Sequence, residues 1–131
     1  MHGDGSFDFS FSGLKTAVVN HVRKHPEAST ADVAASFQEA VVDSLVTKAR
    51  AAAREVGAKG LCLGGGMAAN SLLRERMAAE CAKRGLRAVL PSRAMCTDNA
   101  AMVAAAAWWR LQADGPTPLD VGVSPNLRLP V

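Results

Sequence analysis

Three consecutive glycines at positions 64–66 separate a short apolar run from a segment with helical periodicity. The run before them, residues 61–63, has the length and the side chains of a buried strand. The segment after them predicts a helix over 69–84, which Gly85 ends. A second strand is predicted at 87–90, and strands connected through a helix lie parallel to each other. The sequence therefore predicts a βαβ unit and an α/β fold, with a small sheet packed against helices.

The residues before this unit predict one strand and two helices. Phenylalanine alternates with Asp and Ser over residues 7–12, which favours a half-buried strand with one aromatic face. A short helix follows and stops at Pro26. Ser29 predicts the N-cap of a long helix, and Gly57 is well placed as the residue after its end. We expect Lys48 on this helix to face water.

The length and composition of the chain indicate one domain. With 131 residues, 49% of them hydrophobic and 21% charged, the chain is within the usual range of a single globular domain. Residues 1–6 are predicted to be a flexible lead, of the kind that a chain cut from a longer protein would have. A last helix over 97–113 is expected to precede an irregular tail at 118–131. We therefore expect a single domain over residues 1–131.

Charge and cysteine content restrict the class of protein only weakly. The net charge of +3 permits an anionic partner without indicating one. Three cysteines form an odd set without a CxxC spacing and no signal peptide precedes them, so we expect a cytoplasmic location. No apolar run approaches the ~20 residues that cross a bilayer, so no membrane association is expected. Five arginines could form a phosphate-contacting surface, although solvated helix faces are the simpler explanation: Arg74, Arg76, Arg84, Arg87 and Arg93.

The glycine turn has two functional interpretations and a steric one. Backbone amides in such a turn, followed by the start of a helix, can bind a phosphate group, whereas tight turns also use glycine for purely steric reasons. Gly64, Gly66 and Ala69 also satisfy the G-x-G-x-x-A fingerprint of dinucleotide-binding proteins. The acidic residue that such proteins carry about 20 residues later is missing, and Arg84 or Arg87 would allow only NADP.

A second candidate is the segment 96–99, Cys-Thr-Asp-Asn, before the last helix. Thr97 can cap this helix, and Asp98 in its first turn is explained by the helix dipole alone. If both turns follow neighbouring parallel strands, however, Asp98 opens onto the cleft of the glycine turn, where a carboxylate could bind a divalent metal ion. His21 and His25 have a ligand-like spacing, but a surface role at the helix end is the simpler explanation.

Taken together, three stretches resemble a known family: FSFSGLKT at 9–16, LGGGMAAN at 63–70 and CTDNAAM at 96–102. Their order and content are similar to those of the universal threonylcarbamoyltransferase family, long labelled the O-sialoglycoprotein endopeptidase or glycoprotease family. The stretch VAASFQEAV at 33–41 resembles the long helix between the first two motifs. The resemblance extends from Phe7 to about Trp109.

The resemblance implies a fold and an activity. The fold would be the C-terminal lobe of an actin-like (ASKHA) ATPase fold, in which two α/β lobes enclose a nucleotide. The activity would be transfer of a threonylcarbamoyl group from threonylcarbamoyl-adenylate to N6 of adenosine 37 in tRNAs that read codons starting with A. In bacterial relatives, the partners would be a paralogous scaffold subunit and a small ATPase.

The resemblance also implies roles for single residues. Asn70 would contact the adenylate, Gly65 and Gly66 would line the nucleotide, and Asp98 would be a ligand of one divalent metal ion, iron or zinc. No catalytic residue is identified. The remaining metal ligands, an HxxxH pair, belong to the family's N-terminal lobe, which this sequence lacks, so we expect the isolated chain to be inactive. A non-catalytic binding or assembly role, or a dinucleotide-binding oxidoreductase fragment, remain as alternatives.

Overall fold

A computed structural model describes residues 7–126 of the chain. The chain divides into two compact units, residues 1–97 and residues 98–131. The predicted flexible lead, 1–6, and the end of the predicted tail, 127–131, lie outside the described residues, while 118–126 contain no helix or strand, in line with an irregular tail. The expectation of a single domain stays a prediction.

Among the described residues, the first unit contains three α-helices and two strands, and the second contains one α-helix. The helices are α1 (Ser12–Lys24), α2 (Thr30–Glu55), α3 (Ser71–Lys83) and α4 (Ala100–Asp114), and the strands are β1 (Gly60–Cys62) and β2 (Arg87–Val89). The strands pair in parallel, with Gly60 opposite Arg87 and Cys62 opposite Val89. This pairing across α3 confirms the predicted βαβ unit and the α/β class. No helix in the described range is both long and apolar enough to cross a membrane.

The ends of α1 and α2 follow the local signals in the sequence. α1 ends at Lys24, two residues before Pro26. The Ser29 side chain accepts a hydrogen bond from the Asp32 amide at 3.5 Å, which makes it the N-cap of α2. Gly57 follows α2 with a positive φ of 61°, the conformation that a glycine after a helix end adopts. These predictions are confirmed.

The strand predicted at residues 7–12 is wrong. Residues 7–11 have no regular secondary structure and α1 already begins at Ser12. The rings of Phe9 and Phe11 are stacked with centroids 6.2 Å apart, so the alternation does place aromatic side chains on one side. A strand also needs a partner for its backbone groups, and in the described part of the chain β1 and β2 pair only with each other.

The prediction that Lys48 faces water is also wrong, because its side chain is buried with 6% exposure. Its Nζ donates a hydrogen bond to the carbonyl oxygen of Asp8 at 2.6 Å. Segment 7–11 therefore packs against α2, where it covers a polar position that periodicity assigned to solvent. The aliphatic part of a lysine can be buried in this way provided that its ammonium group finds an acceptor.

The hydrophobic core lies between α2 and α3. Leu73, Met77 and Cys81 recur every four residues on one face of α3, and they pack against Val42 and Val46 of α2. Leucines in or next to the strands also pack against this cluster: Leu61 in β1, Leu63 just after it and Leu86 just before β2. This packing fixes the orientation of α3, and with it the glycine turn that connects β1 to α3.

Candidate functional site

The glycine turn begins where β1 ends. Leu63 continues the pairing, since its amide donates to the carbonyl oxygen of Val89 at 3.1 Å. Residues 64–66 are all exposed, and Gly65 has a φ of 75°, which side chains other than glycine rarely adopt. A single 3₁₀ turn, Gly66–Ala69, then precedes α3, so this helix begins two residues later than the predicted residue 69.

The structure distinguishes the steric from the functional explanation of these glycines. A Cβ added at Gly64, Gly65 or Gly66 would meet no atom within 4 Å, whereas a Cβ at Gly60 would lie 2.7 Å from the Arg87 carbonyl oxygen. Crowding therefore explains why residue 60 is a glycine, and the positive φ explains why residue 65 is one. Neither explains Gly64 or Gly66, which leave an exposed backbone with open space in front of it.

Asn70 is the N-cap of α3, a role that sequence analysis did not assign to it. Its Oδ1 accepts a hydrogen bond from the Leu73 amide at 2.9 Å, and its Nδ2 donates to Oε1 of Gln38 on α2 at 2.9 Å. The preference of asparagine for N-cap positions was the signal that could have located this cap. A side-chain amide has two N–H groups, so the bond to Gln38 leaves a second one for another acceptor.

Two arginines support the turn from either side. Arg74 donates from Nη1 to the carbonyl oxygen of Ala68 at 2.9 Å, which holds the 3₁₀ turn against α3. Arg93 donates from Nη2 to Oγ of Ser71 at 2.7 Å, which places a guanidinium group at the N-terminus of α3. Since the amino end of a helix and a guanidinium group both favour negative charge, the start of α3 is electrostatically suited to an anion.

The other arginines proposed for a phosphate-contacting surface lie elsewhere. Arg76 forms an ion pair with Glu39 of α2, and Arg84 forms one with Glu80 at 2.5 Å. Arg87 is on β2 and is exposed. The five arginines therefore do not form one surface at the glycine turn, where the structure brings only Arg74 and Arg93.

Asp98 is exposed and directly precedes Asn99, the N-cap of α4. Oδ1 of Asn99 accepts from the Met102 amide at 3.0 Å, so the prediction that Thr97 caps this helix is wrong. Thr97 has a weaker preference than asparagine for the same position. Asp98 consequently lies before the cap and outside the first turn of α4, and its convergence with the glycine turn stays a prediction.

A complete metal site is not formed by the residues that the structure describes. Over residues 7–126, no three His, Cys, Asp or Glu side chains are close enough together to bind one ion. The rings of His21 and His25 are 4.8 Å apart, and His25 Nδ1 lies 3.2 Å from Oε1 of Glu27. This surface contact agrees with the surface role expected for the pair.

Comparison with known proteins identifies the family. The sequence profile of the tRNA N6-adenosine threonylcarbamoyltransferases matches residues 1–105. A relative of that name from Clostridium beijerinckii is 42% identical over 130 residues, and one from Clostridium botulinum is 44% identical over 130 residues. Each alignment covers 96% of this chain and 38% of the relative. A relative of the same name from Geobacter sp. (strain M21) is 55% identical over 104 residues, which are 77% of this chain and 30% of the relative.

The chain thus spans a little more than a third of the length of these relatives. The profile match includes all three motifs, the glycine turn among them. It favours the transferase interpretation over the dinucleotide-binding alternative. The chain belongs to the tRNA N6-adenosine threonylcarbamoyltransferase family.

Proposed function

We propose that this chain is part of an enzyme that transfers a threonylcarbamoyl group from threonylcarbamoyl-adenylate to N6 of adenosine 37 in tRNAs that read codons starting with A. Family membership carries this proposal, because the match covers residues 1–105 and includes the exposed glycine turn. The family's metal dependence, its actin-like two-lobed fold and its scaffold and ATPase partners are part of the same proposal. The βαβ unit is compatible with one lobe of that fold.

The glycine turn is the proposed binding site for the adenylate. Gly65 and Gly66 are exposed and have open space in front of their backbone, which is the condition for close approach of a phosphate group. The guanidinium group of Arg93, which donates to Ser71 Oγ, adds positive charge at the start of α3. Asn70 orients the ligand through its second amide N–H while Oδ1 keeps its capping bond to Leu73.

These groups would act on the leaving group of the transfer. Attack of the N6 amine on the carbamoyl carbon forms the new C–N bond and breaks the bond from that carbon to the phosphate oxygen. AMP leaves with the negative charge, and the proton that N6 loses passes to solvent. Donors that are already in position where charge develops lower the barrier of such a step. The backbone amides of Gly65 and Gly66, together with Arg93, are the donors that the turn offers.

Asp98 is the proposed metal ligand from this part of the chain. One carboxylate does not make a site, and the described residues offer no group of three ligands, so they do not fit a complete metal centre. The remaining ligands would come from outside residues 7–126.

A segment exchange tests the proposal. In the Clostridium botulinum relative, the matching segment is replaced by this chain, and the purified hybrid is incubated with tRNA and threonylcarbamoyl-adenylate. Digestion of the tRNA and mass spectrometry then measure N6-threonylcarbamoyladenosine. We expect modified nucleoside above the level of a hybrid that carries Asn70→Ala and Gly66→Val together. A folded hybrid that modifies no tRNA would contradict the proposed activity.

Asn70 allows a test that separates binding from folding. Asn70→Asp keeps an oxygen that can cap α3, and its carboxylate can accept a hydrogen bond from the Gln38 side-chain amide once that amide is turned over. The change removes the amide N–H groups of residue 70, and we expect the melting temperature of the hybrid to be retained. We expect kcat/KM to fall by about tenfold or more, since a lost hydrogen bond to a charged ligand is worth roughly 1.5–3 kcal/mol. Asn20→Asp on the exposed face of α1 is the matched control. Equal activity of both variants would show that Asn70 is only a cap.

A further inference from the structure

A pocket of about 650 Å³ lies at the end of the βαβ unit opposite to the glycine turn. Gly57 and Ala58 line it just before β1 begins, and Leu86 lines it just before β2 begins. Because the two strands are parallel, their amino ends meet at this edge, while the glycine turn follows the carboxyl end of β1. Three arginines surround the pocket: Arg50 and Arg54 from α2, and Arg84 from the end of α3.

Positive charge is concentrated around this pocket. Six basic residues line it or are next in sequence to a residue that does: Arg50, Arg54, Lys59, Lys83, Arg84 and Arg87. Three acidic residues lie near them: Glu55 beside Arg54 in sequence, Glu80, which pairs with Arg84 and Lys83, and Asp43, which lines a neighbouring pocket together with Arg50 and Lys83. The six basic and three acidic residues together carry +3, which is the net charge of the whole chain, so the remainder of the sequence is neutral overall.

The guanidinium groups are available to a ligand. Arg50 and Arg54 are both exposed and lie four residues apart on one helix face, where like charges repel each other unless an anion lies between them. Arg84 uses Nη1 for Glu80 at 2.5 Å, which leaves its other N–H donors. Small side chains on the pocket wall, such as Ala53 and Ala58, leave room between the arginines.

We propose that this basic pocket, defined by Arg50, Arg54 and Arg84, binds the phosphate backbone of RNA. The choice of RNA rests on the proposed function, in which the chain acts on tRNA. The basic residues extend beyond the pocket to Lys59 and Arg87 at the strand ends. This basic area is larger than the area that a single phosphate group would contact. Arginine predominates among these basic residues, and its planar fork is suited to bidentate contacts with phosphate oxygens.

Fluorescence anisotropy of a labelled, unmodified tRNA transcript with the full 131-residue chain tests the proposal. Titrations at several salt concentrations give the dissociation constant and the slope of its logarithm against that of the salt concentration. For Arg50→Gln, Arg54→Gln and Arg84→Gln combined, we expect at least about tenfold weaker binding and a slope smaller by about 2 to 3, since each phosphate contact contributes roughly 0.9. Circular dichroism checks that the variant keeps the helix content of the unchanged chain.

The matched control removes the same charge elsewhere. Arg23→Gln, Lys24→Gln and Arg110→Gln combined change three exposed basic residues outside the pocket, and binding should weaken less than threefold. Equal losses in the two triple variants would overturn the proposal, because net charge alone would then explain the binding. Displacement of the tRNA by poly-L-glutamate at equal charge concentration would also overturn it, in favour of an acidic protein partner. So would the absence of any tRNA binding.

The outcome is independent of the transfer reaction. A hybrid enzyme that modifies tRNA, combined with unchanged tRNA binding by the pocket variant, would reject the pocket and leave the proposed function intact. An inactive hybrid, combined with a selective loss of tRNA binding by the pocket variant, would reject the proposed function and leave the RNA contact intact.

Discussion

Lys48 illustrates how one residue can depart from the pattern of its own helix. Its position on α2 predicted exposure to water, but segment 7–11 covers it and its ammonium group binds the Asp8 carbonyl oxygen. Asn70 also has more than the role expected from the sequence. The family resemblance implied a contact with the adenylate, and in the structure Asn70 in addition caps α3 and contacts Gln38. The Lys48–Asp8 and Asn70–Gln38 bonds both join segments that are distant in sequence, whereas the capping bond of Asn70 to Leu73 is local.

The three cysteines differ in environment and should differ in reactivity. Cys62 is exposed, whereas Cys81 and Cys96 are buried. Burial, reinforced by the negative charge of Glu80, raises the pKa of the Cys81 thiol above its ordinary value of 9.0, so less reactive thiolate is present at neutral pH. With iodoacetamide at about pH 8, we expect Cys62 to be alkylated first and Cys81 only slowly.

Peptide mass spectrometry over time measures this order, and the same reaction in urea provides the unfolded reference. If Cys81 and Cys62 were alkylated at equal rates in the folded chain, the burial of Cys81 between α2 and α3 would be wrong. As a control, a Cys62→Ser variant of the folded chain should show only the slow alkylation of the buried cysteines, Cys81 and Cys96.

At the scale of elements, α3 positions the candidate site. Its buried face packs on α2, its N-cap is Asn70, and Arg74 holds the 3₁₀ turn in front of it. The parallel strands fix the other end of the turn, since Leu63 pairs with Val89 just before the first glycine. The exposed glycines are therefore held between two rigid elements.

Glycine substitutions should separate strand packing from ligand binding. We expect Gly60→Ala to lower the free energy of unfolding by about 1–3 kcal/mol, because the new Cβ would lie 2.7 Å from the Arg87 carbonyl oxygen. Gly64→Ala meets open space and should change the free energy of unfolding by less than about 0.5 kcal/mol. Urea unfolding of the 131-residue chain measures both.

In the hybrid enzyme, Gly64→Ala should impair adenylate binding more than Gly60→Ala does, which is the reverse of their order in loss of stability. Gly64→Ala would raise KM for the adenylate, since its methyl group occupies the space in front of the turn, whereas Gly60→Ala would affect mainly stability. A Gly64→Ala hybrid with unchanged KM would contradict the assignment of the turn to the nucleotide.

At the scale of the whole molecule, the chain is much shorter than its relatives, and this limits what it can do alone. The chain spans 38% of the Clostridium relatives that it matches, and the residues described offer no complete metal site. The proposed activity needs groups from outside residues 7–126. The boundary between the two compact units of the chain falls between Thr97 and Asp98. Asn70 therefore belongs to one unit and Asp98 to the other.

We therefore expect the 131-residue chain by itself to transfer no threonylcarbamoyl group to tRNA. Mass spectrometry of the digested tRNA should show only unmodified adenosine 37, while the segment-exchange hybrid in the same assay shows the product. Isothermal titration calorimetry with Zn²⁺ or Fe²⁺ should detect no tight binding by the chain, because one carboxylate is too few ligands. Turnover by the chain alone would refute this expectation.

The sequence by itself determined the order of elements in the βαβ unit, the end of α1, the boundaries of α2, and the family. These follow from local chemistry: the periodicity of apolar residues, the Ser29 cap, the stop at Pro26, and motifs whose residues are contiguous. The predicted start of α3 was two residues early, because Asn70 was counted as helical when it caps the helix.

Only the tertiary structure decided which polar residues are buried and which glycines are crowded. Burial of Lys48 depends on a segment 40 residues away, and the close contact at Gly60 depends on Arg87 of the other strand. The basic pocket likewise combines the end of α2 with the end of α3. Such contacts join residues that are distant along the chain, so neither periodicity nor motif spacing contains them, and they exist only once the helices and strands pack together.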